Sequence, residues 1–366
     1  CSAMKILHCI TGLSGDGAQR MLLRLVQGLE GQGVSNTVVS LGGPGQLAPD
    51  FEALGVPVVA LGISGPASLV PGVLKLRKAL DVHRPDLLQG WMYHANILAL
   101  LSQETRGVRL PVVWNIRRGL DDLAQRKAAT RAAIRASAWV SPRASRIIYC
   151  SEQSREQHEG AGFSSSAATV LGNGFDTRLF APSVERRRAF RDELGIGDED
   201  FVVGQVGRFD LAKGHRFLFE AFGAFATRHP RARLVCIGRG VEGAMLDAVV
   251  ASDVSRRVHL LPERQKIFEV FPGFDLYCSS SVAEGFPNVV AEALCCGLPV
   301  VATDTGATRD LLGTHGVLVK PRSSEALLGG LLQVMSEPEH QRRSRGVMGR
   351  DFIEREHSVG RVVHSY

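Results

Sequence analysis

Two carboxylates, Glu284 and Glu292, stand eight positions apart in the stretch EGFPNVVAEALCCGLPVVATDTG that runs from Glu284 to Gly306. Glu284 precedes a helical run, Val289–Cys296, and Glu292 falls inside it. Pro287 reads as the first helical residue, where its missing N–H costs nothing. The free amides of a first helical turn carry about half a positive charge and suit phosphate oxygens or hydroxyls. The carboxylates then face one cleft at different depths. That layout fits a sugar at one end and a ribose at the other, with a phosphate pair between. Ala291, Ala293 and Leu294 flank Glu292 with apolar surface, so its helix reads as covered.

A second group is cationic. The run GRFDLAKG places Gly207 and Arg208, then Lys213 and Gly214, directly after the apolar segment Phe201–Val206. Arginine offers a planar fork to phosphate oxygens and lysine adds a point charge. A third group, Thr11 to Arg20, carries Gly15-Asp16-Gly17 between a strand-like and a helix-like segment. It half-matches a dinucleotide fingerprint. Arg20 stands where the third glycine belongs, and no acidic residue ends the second strand at Val39-Ser40-Leu41-Gly42, so an NAD site is disfavoured. His94 follows the strand-like Leu87–Trp91 in WMYHAN, at a plausible cleft position. Asp198-Glu199-Asp200 matches a metal-binding triplet, but it precedes a strand instead of following one, and it reads as a surface turn with no metal.

Basic residues cluster at Arg117, Arg118, Arg126, Lys127, Arg131, Arg135, Arg143 and Arg146, opposed only by Asp121 and Asp122. Lys127, Arg131 and Arg135 recur every four residues and form one helix stripe, with Leu123, Ile134 and Trp139 nearby. An anionic membrane surface fits this stripe, as does a plain solvated face. Nucleic acid does not fit, for no aromatic residues interleave to stack on bases.

The elements that must hold these groups follow from the apolar pattern. Short runs read as strands at Ile6–Ile10, Thr37–Leu41, Val56–Leu61, Leu87–Trp91, Val112–Asn115, Ile147–Ser151 and Thr169–Leu171. A second series covers Phe201–Val206, Leu234–Ile237, Val258–Leu260, Leu276–Cys278, Val300–Thr303 and Val317–Val319. Helical patterns such as Ala18–Leu29 and Leu69–Leu80 fill most gaps. Near-continuous apolar strands alternating with helices mean parallel sheets covered on both faces. The α/β chain therefore reads as two Rossmann-like domains with a ligand cleft at the carboxyl ends of the strands. The domains are expected over 1–175 and 201–349. Between them 176–200 is expected as a linker and part of a hinge, with Pro182 and the run Glu185-Arg186-Arg187-Arg188. Residues 350–366 are expected as a helix.

Size and composition agree with this. The 366 residues suffice for two cores, and apolar content of 45% is ordinary. The 40 glycines punctuate the ends of apolar runs, as turns do. A net charge of +6 favours acidic partners weakly. Seven cysteines without metal or redox spacing read as buried thiols in a reducing cytoplasm. No apolar run approaches bilayer length. MKILHCITGL reads as a first strand, not a signal peptide, and Cys1 to Ala3 as an addition before Met4.

Taken together, these segments resemble the retaining glycosyltransferases of family 4, with the GT-B fold. EGFPNVVAEALCCGLPVVATDTGA looks like that family's E-x7-E signature, and GRFDLAKG like its diphosphate loop. GDGAQRML at 15–22, His94 in WMYHAN and GNGFD at 172–176 resemble further family segments. The resemblance implies that Arg208 and Lys213 hold a nucleotide's diphosphate, with Gly207 in the same loop. Glu292 would accept from the ribose hydroxyls. Glu284 would meet the donor sugar, with the amides of Phe286, Asn288 and Val289 alongside. Gly15 would lie against the phosphates and His94 against sugar and acceptor, with Arg117 and Arg118 on the acceptor side. It further implies a UDP-sugar donor, a glycan or lipid-linked acceptor, no metal and no cofactor. The C-terminal helix would return to the first domain, the domains would close over the donor, and the enzyme would be cytoplasmic or peripheral on the inner membrane face. A nucleotide-sugar epimerase or a non-catalytic nucleotide-sugar binder are the rival readings.

Overall fold

A computed structural model describes residues 3–15, 17–65, 68–104, 110–121, 123, 127–243 and 252–366. The chain divides into two compact units. One holds Cys1–Gly174 together with Val359–Tyr366, and the other holds Phe175–Ser358.

The first unit is built on seven parallel strands: β1 (Lys5–Ile10), β2 (Ser35–Ser40), β3 (Val58–Ala60), β4 (Leu87–Trp91), β5 (Val112–Ile116), β6 (Arg146–Tyr149) and β7 (Ala168–Val170). Their order is β3-β2-β1-β4-β5-β6-β7. Side chains alternate between faces along a strand. Leu7 and Cys9 of β1 thus enter one core with Trp114 and Ile147. Ile6 and Ile10 enter the opposite core with Leu22, Leu25 and Val26. Those leucines lie on the amphipathic helix Gly17–Glu30, whose buried residues recur at helical spacing. The closing helix, Val359–Ser365, packs against it so tightly that a Cβ on Gly28 would stand 2.4 Å from a Val363 methyl.

The second unit carries six parallel strands: β8 (Phe201–Val206), β9 (Ala232–Ile237), β10 (Val258–Leu261), β11 (Leu276–Ser279), β12 (Val300–Thr303) and β13 (Val317–Val319). Their order is β10-β9-β8-β11-β12-β13. In both sheets the order reverses beside the first strand, between β1 and β4 and between β8 and β11. Each reversal opens a crevice at the strands' carboxyl ends.

The thirteen strands coincide with the sequence reading to within one or two residues at most ends. The stretch 176–200, read as a linker, belongs to the second unit. It contains the helix Val184–Glu193, capped by Ser183, which accepts from the Arg186 N–H at 3.2 Å. Arg187 and Arg191, one turn apart, both pair with Asp275, at 2.6 and 3.1 Å. Arg191 is only 2% exposed and also donates to the carbonyls of Gly197 and Asp200. One member of the charged run, Arg187, is therefore packed on a partner some eighty residues on, while Glu185 and Arg188 stay exposed. Residues 350–357 complete the helix Glu339–His357 of the second unit, and the first unit takes up only the chain from Val359.

Candidate functional site

In the second unit the crevice between β8 and β11 gathers the groups singled out around two loops, 207–214 and 280–284. Backbone and side-chain links stitch the loops together. Val282 N–H donates to the Ala212 carbonyl at 2.8 Å. Ser280 Oγ and Gln205 Nε2 both donate to the Lys213 carbonyl, at 2.9 and 3.3 Å. Gly214 has φ +61°, and a Cβ there would stand 2.1 Å from the Ser280 carbonyl oxygen, so the close approach demands glycine. As a result Lys213 Nζ reaches Glu284 Oε1 at 2.6 Å across 71 residues of sequence. Ser281 Oγ donates to the same oxygen at 2.7 Å. Both donors use Oε1, and Glu284 Oε2 is left to accept from another hydroxyl.

Arg208 folds back on its own loop, its Nε donating to Asp210 Oδ2. Asp210 Oδ1 meanwhile accepts from the Lys213 N–H at 3.0 Å, capping the short turn Leu211–Lys213. Burial acts to raise the Asp210 carboxyl, but the Arg208 hydrogen bond and charge, with Lys213 behind them, hold it below its ordinary value.

Glu292 is 7% exposed on the helix Asn288–Cys295, a covered position as the flanking apolar residues predict. That helix begins at Asn288, one residue ahead of the Val289 start read from sequence, and Pro287 is its capping residue instead of lying inside it. The Asn288 N–H donates to the Phe286 carbonyl at 3.0 Å. Phe286 is buried and stacks on Phe175 with centroids 6.1 Å apart. Val289 lies in the first turn. Tyr277 on β11 sits buried below the site; burial first, then the charges of Glu284 and Glu292, push its phenol well up. Tyr277, Ser281 and Asp210 were not singled out in sequence. Asp210 had a signal, the aspartate three residues ahead of Lys213 that marks a cap.

His215, next to this loop, is 2% exposed and packs beside Phe209 at 5.1 Å. Burial lowers its pKa to about 4, so the ring is neutral.

The first unit's crevice, between β1 and β4, is of another kind. Gly15 takes φ +90°, and its carbonyl accepts from Arg20 Nε at 2.8 Å. The arginine that breaks the dinucleotide pattern thus closes the loop; Asp16 lies outside the described residues. Met92 ends β4 with φ +70°, a left-handed conformation uncommon away from glycine and found where function holds strain. It turns the chain into the helix Tyr93–Glu104, with His94 exposed on the first turn. A cleft of about 240 Å³ is lined by Thr11, Met92, His94, Arg118, Leu120 and Ile134, among others.

The helix Glu152–Gly160 braces this cleft. Ser154 Oγ donates to the Arg118 carbonyl at 2.7 Å, and Gln157 Oε1 accepts from the Leu120 N–H at 2.7 Å. His158 Nδ1 faces the Ser154 carbonyl at 2.6 Å and Nε2 faces the Tyr93 hydroxyl at 2.8 Å. A carbonyl only accepts, so Nδ1 carries the hydrogen and Tyr93 donates to Nε2. Burial holds this imidazole at about 4, hence neutral.

Arg117 departs from the acceptor-side expectation. Its guanidinium turns inward and donates to the Leu171 carbonyl at 2.5 Å and to Asn115 Oδ1 at 3.1 Å. It lies 5.7 Å from the Trp91 ring and 5.6 Å from that of Tyr366. Arg118 stays exposed. Further along, Lys127 and Arg135 are exposed, and Trp139, one turn beyond Arg135 on the helix Ala128–Val140, is 83% exposed. Arg126 and Asp122 lie outside the described residues. Glu199 and Asp200 of the acidic triplet pair with Arg231 and Arg233, at 2.8 and 3.3 Å. Among the described residues no helix is long and apolar enough to cross a membrane.

Residues 15–179 match the family model described as Glycosyltransferase Family 4, and residues 200–337 match that described as Glycosyl transferases group 1. A D-inositol 3-phosphate glycosyltransferase of Corynebacterium jeikeium is 33% identical over 186 residues, 47% of this chain and 44% of that protein. A lipopolysaccharide core biosynthesis mannosyltransferase, LpsB of Rhizobium meliloti, is 25% identical over 292 residues, 76% of each chain. The chain spans less than half the length of several curated relatives it matches, 36% of Bacillus subtilis EpsF and 48% of TuaC among them. Among solved structures, Anabaena HepE in complex with UDP superposes with a TM-score of 0.85 at 23% identity, over 99% of this chain and 98% of that one. Sucrose-phosphate synthase of Thermosynechococcus elongatus gives 0.81 at 16%, over 99% and 97%. At such identities the likeness is one of fold, the GT-B fold expected from sequence.

Proposed function

The chain belongs to the glycosyltransferases of the group 1 and family 4 type, with the GT-B fold, and from that premise we propose that it moves a sugar from a nucleoside-diphosphate sugar, UDP foremost, to a hydroxyl of a glycan or lipid-linked acceptor. The transfer retains configuration at the anomeric carbon and uses no metal. The observation that carries this reading is the meeting of Lys213 with Glu284 at 2.6 Å beside Arg208, at the crevice of the second sheet.

The chemistry follows from where charge develops. As the bond from the anomeric carbon to the phosphate oxygen breaks, negative charge builds on the diphosphate. Arg208 and Lys213 would stabilise it, with the positive end of the helix Asn288–Cys295 adding to the field. Glu284 Oε2 accepts from a donor-sugar hydroxyl and Glu292 from the ribose. Retention requires the acceptor to approach the face that the leaving group vacates. The departing phosphate oxygen then takes the acceptor's proton, and no further carboxylate is needed as a base. The first unit offers His94 and Arg118 to the acceptor.

Incubation with UDP-, GDP- and ADP-sugars and candidate acceptors tests this. Acceptor-dependent release of nucleoside diphosphate is expected, with the donor's anomeric configuration kept in the product by proton NMR. An inverted product contradicts retention, and product sugar without an acceptor redirects the reading to epimerisation.

The exposed Trp139 on the stripe of Lys127, Arg131 and Arg135 supports a second element, docking of the first unit on an anionic bilayer. Trp91 and Trp114 are fully buried, so fluescence changes at the surface report Trp139. A blue shift on adding anionic vesicles at low salt, lost in Trp139→Ser, is expected; unchanged emission rejects docking.

A further inference from the structure

Both cations of the 207–214 loop are already neutralised. Arg208 carries Asp210, and Lys213 carries Glu284. The four formal charges sum to zero, so an arriving diphosphate finds no uncovered cation pair. A diphosphate competes with each carboxylate for its cation, and the two pairs differ in how readily they yield.

The Lys213–Glu284 pair is enclosed, with side chains 20% and 12% exposed, and Ser281 adds a second hold on Glu284. The Arg208–Asp210 pair is open to solvent, at 48% and 30%. Exposed ion pairs contribute little, about 0.2–1 kcal/mol. Asp210 has a second task in this loop. Asp210 is pinned, because its other oxygen caps the turn by accepting from the Lys213 N–H at 3.0 Å. Arginine's long side chain can rotate away; the capping carboxylate cannot follow without undoing the turn that positions Lys213.

We propose, resting on the donor-site reading above, that Asp210 is a tether for Arg208. It holds the guanidinium folded back in the empty site and gives it up to the diphosphate. It then stays beside the bound phosphates as a negative charge that favours their release. Asp210 is thus a positioning residue that acts through Arg208, and it sets how tightly nucleoside diphosphate is held and how fast product leaves. On this proposal binding breaks the tether, and affinity is lowered by the free energy of that pair.

The test is a double-mutant cycle read by calorimetric titration, using whichever of UDP, GDP and ADP binds the wild type. Asp210→Asn keeps an oxygen to cap the turn and removes the charge. Its melting temperature without nucleotide should fall by no more than about 4 °C, the loss of one exposed ion pair. Its Kd for nucleoside diphosphate should fall about twofold to fivefold, the upper part of the range an exposed ion pair allows. Release should slow by a similar factor in stopped flow. In an Arg208→Ala background the same substitution should change Kd by less than about 1.5-fold, because the tethered group is gone. Weaker binding in Asp210→Asn overturns the proposal and makes Asp210 a group that aligns Arg208 for the ligand. Unchanged binding reduces Asp210 to a cap and also overturns it. Tightening that persists without Arg208 overturns the tether in favour of direct repulsion. A wild-type chain that binds none of the three nucleotides overturns the donor-site reading itself, whatever the variants do.

Discussion

The two units share a sheet topology around their crevices, but they furnish those crevices differently. The second unit lines its crevice with charge: Arg208, Lys213, Asp210 and Glu284 in paired contact, and Glu292 buried nearby. The first unit offers a cleft walled by Leu120 and Ile134, with an exposed imidazole and one exposed guanidinium, shaped by the left-handed Met92. A diphosphate is read by cations and backbone amides, which demand particular residue types at fixed spacing. An acceptor hydroxyl can be read by many polar linings, and the first unit's cleft, proposed for it, is held by shape and by a brace of hydrogen bonds from behind.

Acid should separate the units most strongly. Burial holds His8 and His158 in the first unit and His215 in the second at about 4, below the ordinary 6.5. The unfolded chain therefore binds protons on these rings at higher pH than the folded one. Stability is full above about pH 6.5 and is lost as the pH falls toward 4, by up to about 3 kcal/mol per ring. Calorimetric melting from pH 7 to 4.5 should show this fall, with the first unit, holding two such rings, melting earlier. A flat profile would mean the rings find partners when charged.

Lys213→Ala comes next. Loss of one donor to the leaving diphosphate should cost about 3 kcal/mol in the barrier, roughly a hundredfold in rate. A turnover number near wild type would remove Lys213 from the site.

The neighbours Arg117 and Arg118 give a smaller and sharper contrast. Arg117→Ala takes a donor from the Leu171 carbonyl and from Asn115 Oδ1, which keeps the Tyr366 hydroxyl, and should cost about 1–3 kcal/mol of stability in denaturant unfolding. Arg118→Ala should cost less stability than Arg117→Ala, leave donor KM unchanged and raise acceptor KM about tenfold, the loss of one charged hydrogen bond. Equal effects from the two would erase the distinction between an inward brace and an outward reader.

That pair also marks where sequence stopped being legible. The strands could be read because near-continuous apolar runs between turns leave little choice but a covered parallel sheet. The charged crevice of the second unit could be located because Arg208 and Lys213 sit at fixed offsets from the end of β8. Nothing local says that Arg117 turns in and Arg118 out, since the partners that decide it are Leu171, Trp91 and Tyr366, distant in sequence. The run Glu185–Arg188 looked like a linker for the same reason: Asp275, which receives Arg187 and Arg191, is invisible from the helix alone. Where a side chain's partner is long-range, composition suggests exposure and packing overrules it.

The central claim is that the second unit binds a nucleoside diphosphate through Lys213 and its neighbours. The most direct test is thermal melting of wild type and Lys213→Ala with saturating UDP, GDP or ADP. At least one nucleotide should raise the wild-type melting temperature by several degrees, through about 3 kcal/mol of binding linkage, and should raise that of Lys213→Ala much less. No shift in wild type with any of the three, or an equal shift in the variant, would contradict it.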